Sequence, residues 1–291
     1  MNLSVTSANP PTALTEGQRG ALLTLLTDED PAIYQVIRAK IIEQGQPARD
    51  WLRAYTLSSD PVLRRRAQEI VDYFERGAAD NRFLAFCLSR GEDLDLEQAI
   101  WLLCQTQYPN INPLAYSALF DSYAADLRAR VDFGAPLDRI IGTINYYLFT
   151  DLGFTGNETN YNDPDNSYLN RLLDRRTGNP INLCLLYLLV ARRLHLPVVG
   201  IGLPGHFLCR YQSTSDEIYI DAFNHGRLLT KTDCIHHLVR GNHDLNDDYL
   251  APLSSRRLFQ RLCRNLHQIY QQLEMPEEAL RFHRYLVALG K

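Results

Sequence analysis

The chain has no basic excess, no membrane-length apolar run, no CxxC pair and no glycine-rich loop that opens a helix, and each absence excludes a class of function. Thirty lysines and arginines face 34 aspartates and glutamates, for a net charge of −4 over 291 residues. A surface built for nucleic acid needs the opposite balance, and Arg64-Arg65-Arg66 reads as the solvated face of a helix. Uncharged stretches free of helix breakers reach only the length of Ile181–Ala191, well short of the ~20 residues a membrane span requires. The first residues, MNLSVTSANPPTALTEGQ, carry neither a basic region nor an apolar core, so no secretory signal is read there. The six cysteines (87, 104, 184, 209, 234 and 263) are scattered through apolar segments. Scattered thiols without an export signal predict a cytoplasmic protein whose cysteines act mostly as small hydrophobes. GIGLPG precedes a strand pattern rather than a helix, so it fails the dinucleotide test and no cofactor is expected. Cys234, His236, His237 and His243 in TDCIHHLVRGNHD lack metal-ligand spacing and read as an amphipathic helix with incidental histidines, so no metal is expected.

What is present is helical periodicity. After a polar tail (1–16), residues 17–78 contain a weak repeat in which Asp30-Pro31 and Asp60-Pro61 each open a helix. The aspartate caps free amides and the proline suits the first helical position. Two helix pairs of this kind resemble HEAT repeats. Residues 79–250 carry further amphipathic helices, one begun by Asn112-Pro113, and then the loop FTGNETNYNDPDN, thirteen residues with four asparagines. A polar loop of that length inside a compact region is functional or disordered. Asn166-Ser167 is read as the cap of the helix that follows, and Asn179-Pro180 as the start of the next one, an apolar helix to about Leu194. Three strands follow in LPVVGIGLPG, GHFLCRYQ and EIYIDAF. Residues 251–291 read as a helical hairpin in which Leu266, Tyr270 and Ala279 resemble one tetratricopeptide unit. The fold class is α+β and mainly helical, with a small antiparallel sheet.

The hairpin can be registered from its chemistry. Closing it symmetrically at Ser213-Thr214 sets Arg210 opposite Glu217, Leu208 opposite Tyr219, and His206 opposite Asp221. Phe207, Cys209, Ile218 and Ile220 then form the core face. His206 and Asp221 become neighbours with Cβ atoms about 5 Å apart, and a carboxylate beside an imidazole orients it and raises its basicity. With Cys184 upstream, the order Cys-His-Asp is that of a thiol catalytic triad.

The run NSYLNRLLDRRTGNPINLCLLYLLVARRLHLPVVGIGLPGHFLCRY, with its approach GFTGNETNYNDPDNSYLN and the later IDAF, resembles the SirB1 family of transglutaminase-like proteins from about Asp80 to Lys291. The resemblance implies a papain-like α+β core whose triad cysteine begins a helix and whose histidine and aspartate lie on adjacent antiparallel strands. His206 and Asp221 match those two positions. The cysteine does not: the superfamily's spacing, counted back from the proline of His195-Leu196-Pro197, lands on Pro180. Cys184 lies one turn deeper, where the helix amides are engaged and leucines surround it. A thiol there lacks the helix-end activation that lowers its pKa.

Two functions are therefore expected as alternatives. The first is a non-catalytic protein that binds a protein or peptide partner through a cleft around Asn166, Tyr168, Asn179, Pro180, Asn182, His206 and Asp221, flanked by helical repeats. No nucleic acid and no membrane is expected as partner. The second is a thiol-dependent acyl transferase or hydrolase with Cys184 as nucleophile, His206 as base and Asp221 as its orienting group.

Overall fold

A computed structural model describes residues 14–89, 91–92, 94–213, 216–243 and 246–290. The predicted polar tail lies outside these residues up to position 13. The protein divides into two compact units, 1–79 and 80–291, and the division falls within one long helix.

The first unit holds α1 (Glu16–Leu26), α2 (Pro31–Glu43), α3 (Gln46–Leu52) and the start of α4 (Pro61–Ser89). Asp30 caps α2 by accepting from Ala32 N at 2.8 Å, and Asp60 caps α4 by accepting from Val62 N at 2.8 Å. Each cap contributes about 1 kcal/mol. Leu26, Ile41, Leu52, Ala67 and Ile70 are fully buried and form this unit's own core.

The second unit continues with α5 (Leu96–Gln107), α6 (Pro113–Arg130) and α7 (Leu137–Asn145). Asn112 caps α6 through Leu114 N and Ala115 N. A π-helical turn, Tyr146–Asp151, extends α7. The asparagine-rich loop follows and contributes β1 (Thr155–Gly156). Then come α8 (Leu169–Arg175), β2 (Thr177–Gly178) and α9 (Pro180–Arg193). Asn166-Ser167 does not cap α8: both residues are buried in a 3-10 turn, Pro164–Ser167, and Tyr168 precedes the helix with no hydrogen bond from its side group to the first-turn amides. Every residue of α9 from Pro180 to Ala191 is buried. A helix that is apolar all round belongs at the centre of a core. Its fully buried leucines at 183, 185, 186 and 189 each contribute about 1.5–3 kcal/mol.

The four-stranded antiparallel sheet runs in the order β3 (Val198–Ile201), β4 (Leu208–Gln212), β5 (Glu217–Asp221), β6 (Arg227–Leu229). The observed register is two residues away from the predicted one: Cys209 faces Ile220, Arg210 faces Tyr219, and Gln212 faces Glu217. Ser213 N donates to Asp216 O at 2.9 Å, and Thr214 of the predicted closure lies outside the described residues. A two-residue shift preserves side-chain parity, because strand periodicity is two. Phe207, Cys209 and Ile220 therefore still point into the main core, fully buried, and Arg210 still reaches Glu217 diagonally at 3.1 Å.

The other face of the sheet is covered as well. Leu208 and Tyr219 are also fully buried, in a small second core closed by Cys234 and Leu238 of α10 (Lys231–Arg240). The apolar residues of TDCIHHLVR cover this face, so it is not a polar one. Helices α11 (Ser255–Gln272) and α12 (Pro276–Leu289) complete the unit as an antiparallel hairpin. The hairpin does not stand apart: Leu258, Phe259, Leu262, Cys263 and Leu266 belong to the same core as α9.

Candidate functional site

A cleft of about 440 Å³ opens between the start of α9, the turn before β4, and one face of α11. The wall that carries His206 follows from local sequence. Leu203-Pro204-Gly205-His206 is a type II turn: proline supplies the second position, Gly205 the third at φ +73°, and His206 N donates to Leu203 O at 3.1 Å. Only glycine adopts that φ at low cost. The turn delivers His206 to the cleft two residues before β4 begins.

His206 Nε2 stands 2.9 Å from Asp221 Oδ1, with the two side chains 15% and 8% exposed. The carboxylate lies off the ring N–H axis, so the contact is close without being an aligned hydrogen bond. With Nε2 beside Asp221, Nδ1 is the ring nitrogen left for a ligand. Asn224 holds the carboxylate from the other side, donating from Nδ2 to Oδ2 at 2.8 Å and from its backbone to Oδ1 at 3.2 Å. Asn145, at the end of α7, donates to Gly226 O at 2.6 Å and fixes the turn that carries Asn224. Phe223 meets the His206 ring edge-on at 6.2 Å, and His237 of α10 lies 6.1 Å away.

Burial pushes the Asp221 carboxyl up, but the neighbouring His206 and the Asn224 donors more than offset it, and the group ends below the usual carboxylate range. A depressed folded pKa contributes stability above the unfolded value and loses it as pH falls through the folded one. In His206→Ala, burial acts with its main opponent removed. The Asp221 carboxyl is then expected to titrate above the usual carboxylate range, and its stability contribution to reverse sign. Carbon-detected NMR titration of both proteins checks this, and an unchanged Asp221 midpoint would refute it.

Cys184 is on the same helix as Pro180 but not on the cleft wall. It is fully buried, its Sγ donates to Phe207 O at 3.5 Å, and Cys209 Sγ donates to Cys184 O at 3.6 Å. Burial pushes its thiol well above the ordinary range, and Cys209 and Asp221 add to the shift. At the start of the helix, Asn179 accepts from Asn182 N at 2.9 Å as the cap, and Pro180 lines the cleft beside His206.

The other predicted site residues divide in two. Asn179, Pro180 and His206 line the cleft, and Asp221 stands behind His206. Asn166, Tyr168 and Asn182 are buried beneath it. Asn166 donates to Asn160 O at 2.8 Å and Tyr161 O at 3.1 Å, and its side-chain oxygen accepts from Asn157 at 2.9 Å. Its carbonyl accepts from Asn182 Nδ2 at 3.0 Å and Asn179 N at 3.2 Å. The asparagines thus stitch the long loop to the start of α9, since a carboxamide can both donate and accept. Tyr168 shares a hydrogen bond with Tyr270 in the core at 3.1 Å.

Sequence reasoning missed the opposite wall: Arg261, Arg264, Asn265 and Gln268, with Tyr161 and Tyr249 at the rim. The signal was present, because these four α11 residues recur at helical spacing. They form a stripe that flanks the buried Leu258, Leu262, Leu266 and Ile269. A polar stripe on an amphipathic helix reads as solvent-facing, and only the packing of α11 turns it toward α9.

Comparison with known proteins agrees with this geometry. Residues 115–264 match the family model described as transglutaminase-like superfamily. A "UPF0162 protein" of Xylella fastidiosa (strain 9a5c) is 36% identical over 197 residues, covering 65% of this chain and 70% of the relative. A UPF0162 protein of Pseudomonas aeruginosa is 29% identical over 208 residues, covering 70% of this chain and 75% of the relative. Mouse "F-box only protein 21" is 38% identical over 136 residues, which is 44% of this chain but only 21% of the mouse protein. No solved structure is a significant match to the sequence. The family match runs from α6 into α11 and includes Asn179, Pro180, His206, Arg261 and Arg264 of the cleft, and the chain belongs to the transglutaminase-like superfamily.

Proposed function

We propose that this protein is a non-catalytic member of the superfamily, of the SirB1 type, that binds a peptide segment of a protein partner in the cleft beside His206. The observation that carries this reading is the exchange of roles at the start of α9. Pro180 faces the cleft next to His206, while Cys184 is fully buried with its thiol turned to the Phe207 carbonyl. Proline has no thiol, and a thiol raised by burial is a poor nucleophile. The acyl-transfer alternative, with Cys184, His206 and Asp221 as triad, requires α9 to shift until its second turn reaches the cleft.

The walls suit a peptide. Asn265 and Gln268 offer carboxamides that can pair with backbone amides, and Tyr161 and Tyr249 offer aromatic surface. The helical segments that precede and follow the core in sequence, read as HEAT and tetratricopeptide repeats, would add partner surface. All six cysteines are buried and unbridged, which fits a reducing cytoplasm. Among the described residues no helix is long and apolar enough to cross a membrane.

The test uses the native protein and Cys184→Ala. Peptides offered at millimolar concentration are expected to perturb the NMR signals of His206 and Asn265 equally in both proteins. Glutaminyl peptides and acyl thioesters are expected to show no turnover that depends on Cys184. Turnover present in the native protein and abolished in Cys184→Ala would make the enzyme reading the correct one.

A further inference from the structure

Resting on the peptide-cleft reading above, we propose that the cleft selects its ligand by a carboxylate, held between Arg264 on α11 and His206 in the turn before β4. The cleft lining contains two guanidiniums and an imidazole but no aspartate or glutamate, in a protein whose net charge is −4. Asp221 stands behind His206 rather than in the lining, and clefts lined by one sign of charge concentrate ligands of the other.

The two arginines differ in what they are free to do. Arg261 is committed to the protein: its Nη2 donates to His206 O at 2.7 Å and to Leu203 O, and its guanidinium lies 5.6 Å from the Phe207 ring. It braces the turn that presents His206. Burial lowers its pKa, and the charge of Arg264 lowers it further. Arg264 is exposed at the mouth of the cleft and, among the described residues, lies within ion-pair distance of no carboxylate. Like charges one helical turn apart repel, and an anion between them relieves that repulsion.

The start of α9 adds a third contribution. Pro180 has no N–H, and Asn179 takes the Asn182 amide. The Ile181 amide is left without an intrahelical acceptor, and Ile181 lines the cleft. A first-turn amide at the positive end of a long buried helix favours an anion. A planar guanidinium matches a carboxylate in a two-point fork. The aromatic and carboxamide walls suit the peptide that would carry it. That group has two sources, an acidic side group within the peptide or the free carboxyl terminus of a polypeptide.

The experiment titrates the full-length protein with acetyl-Ala-Glu-Ala-Glu-Ala-amide, its Gln-for-Glu counterpart, acetyl-pentaalanine with a free carboxyl terminus, and inorganic phosphate. Binding is read from the Asn265 and His206 NMR signals. At least one carboxylate peptide is expected to bind ten-fold or more tightly than the Gln peptide. Whichever one does identifies the source of the carboxylate. Arg264→Gln is expected to remove the preference, Arg264→Lys to retain part of it, and added salt to weaken it. If the Gln peptide binds as tightly as both carboxylate peptides and Arg264→Gln changes nothing, the carboxylate inference fails while the peptide cleft stands. If no peptide perturbs either signal, both fail. If only phosphate binds, with the same dependence on Arg264, the ligand is a small oxyanion and the proposal is overturned.

Discussion

Pro180→Cys is expected to carry the most reactive thiol in the protein, alkylated by iodoacetamide at pH 7 on the order of 10³ times faster than any native cysteine. All six native thiols are buried. Burial pushes Cys87, Cys104 and Cys234 up to about 12 and Cys184 well above its ordinary value. At neutral pH their thiolate fractions are negligible. A thiol at position 180 would sit at the first turn of α9 and line the same cleft as His206. Helix ends and neighbouring imidazolium lower thiol pKa values to roughly 3.5–7.5, so a large fraction would be thiolate at pH 7. The helix should tolerate the change, because the Asn179 cap remains and proline contributes at the first position mainly by restricting φ. Mass spectrometry of modified peptides across pH checks both rate and titration. Rapid labelling of Cys184 in the unaltered protein, lost in His206→Ala, would instead mean that Cys184 is the functional thiol.

Arg256→Met is expected to be among the most destabilising single changes on the C-terminal hairpin, costing about 3–5 kcal/mol. Arg256 is only 6% exposed. Its guanidinium donates to Ala288 O at 2.8 Å and Leu289 O at 2.9 Å at the end of α12, and to Cys87 O at 3.1 Å near the end of α4. It therefore satisfies the orphan carbonyls of two helix C-termini at once and places a positive charge at the negative ends of both dipoles. Methionine fills similar volume but leaves those carbonyls buried without this donor. For a unit of this size the loss corresponds to a fall in Tm of about 10 °C. Since α11 supplies the arginine wall of the cleft, ligand binding should weaken in parallel. Arg256→Lys should recover part of the stability, because an ammonium reaches fewer of the carbonyls. A urea midpoint shifted by the equivalent of less than about 1 kcal/mol would show that other contacts hold the hairpin.

Local chemistry was legible in the sequence wherever neighbouring residues decide it. Asp30-Pro31, Asp60-Pro61, Asn112-Pro113 and Asn179-Pro180 each begin a helix because the cap and the proline act on amides within the same turn. The pairing of His206 with Asp221 was legible too, since strand parity survives a two-residue slip in register. The buried character of Cys184 followed from leucines around the whole helix.

Tertiary structure decided the rest. The turn length that sets the true register depends on how the hairpin packs, and the second face of the sheet is dry only because α10 closes over it. Asn166, Tyr168 and Asn182 were expected at the cleft by their type, but their hydrogen bonds all point inward, to partners that come together only on folding. The arginine and carboxamide stripe of α11 carries no local mark that separates a cleft wall from a solvated face. Amphipathic periodicity specifies which side of a helix is buried, whereas what its polar side confronts is set by which distant segment the apolar side packs against.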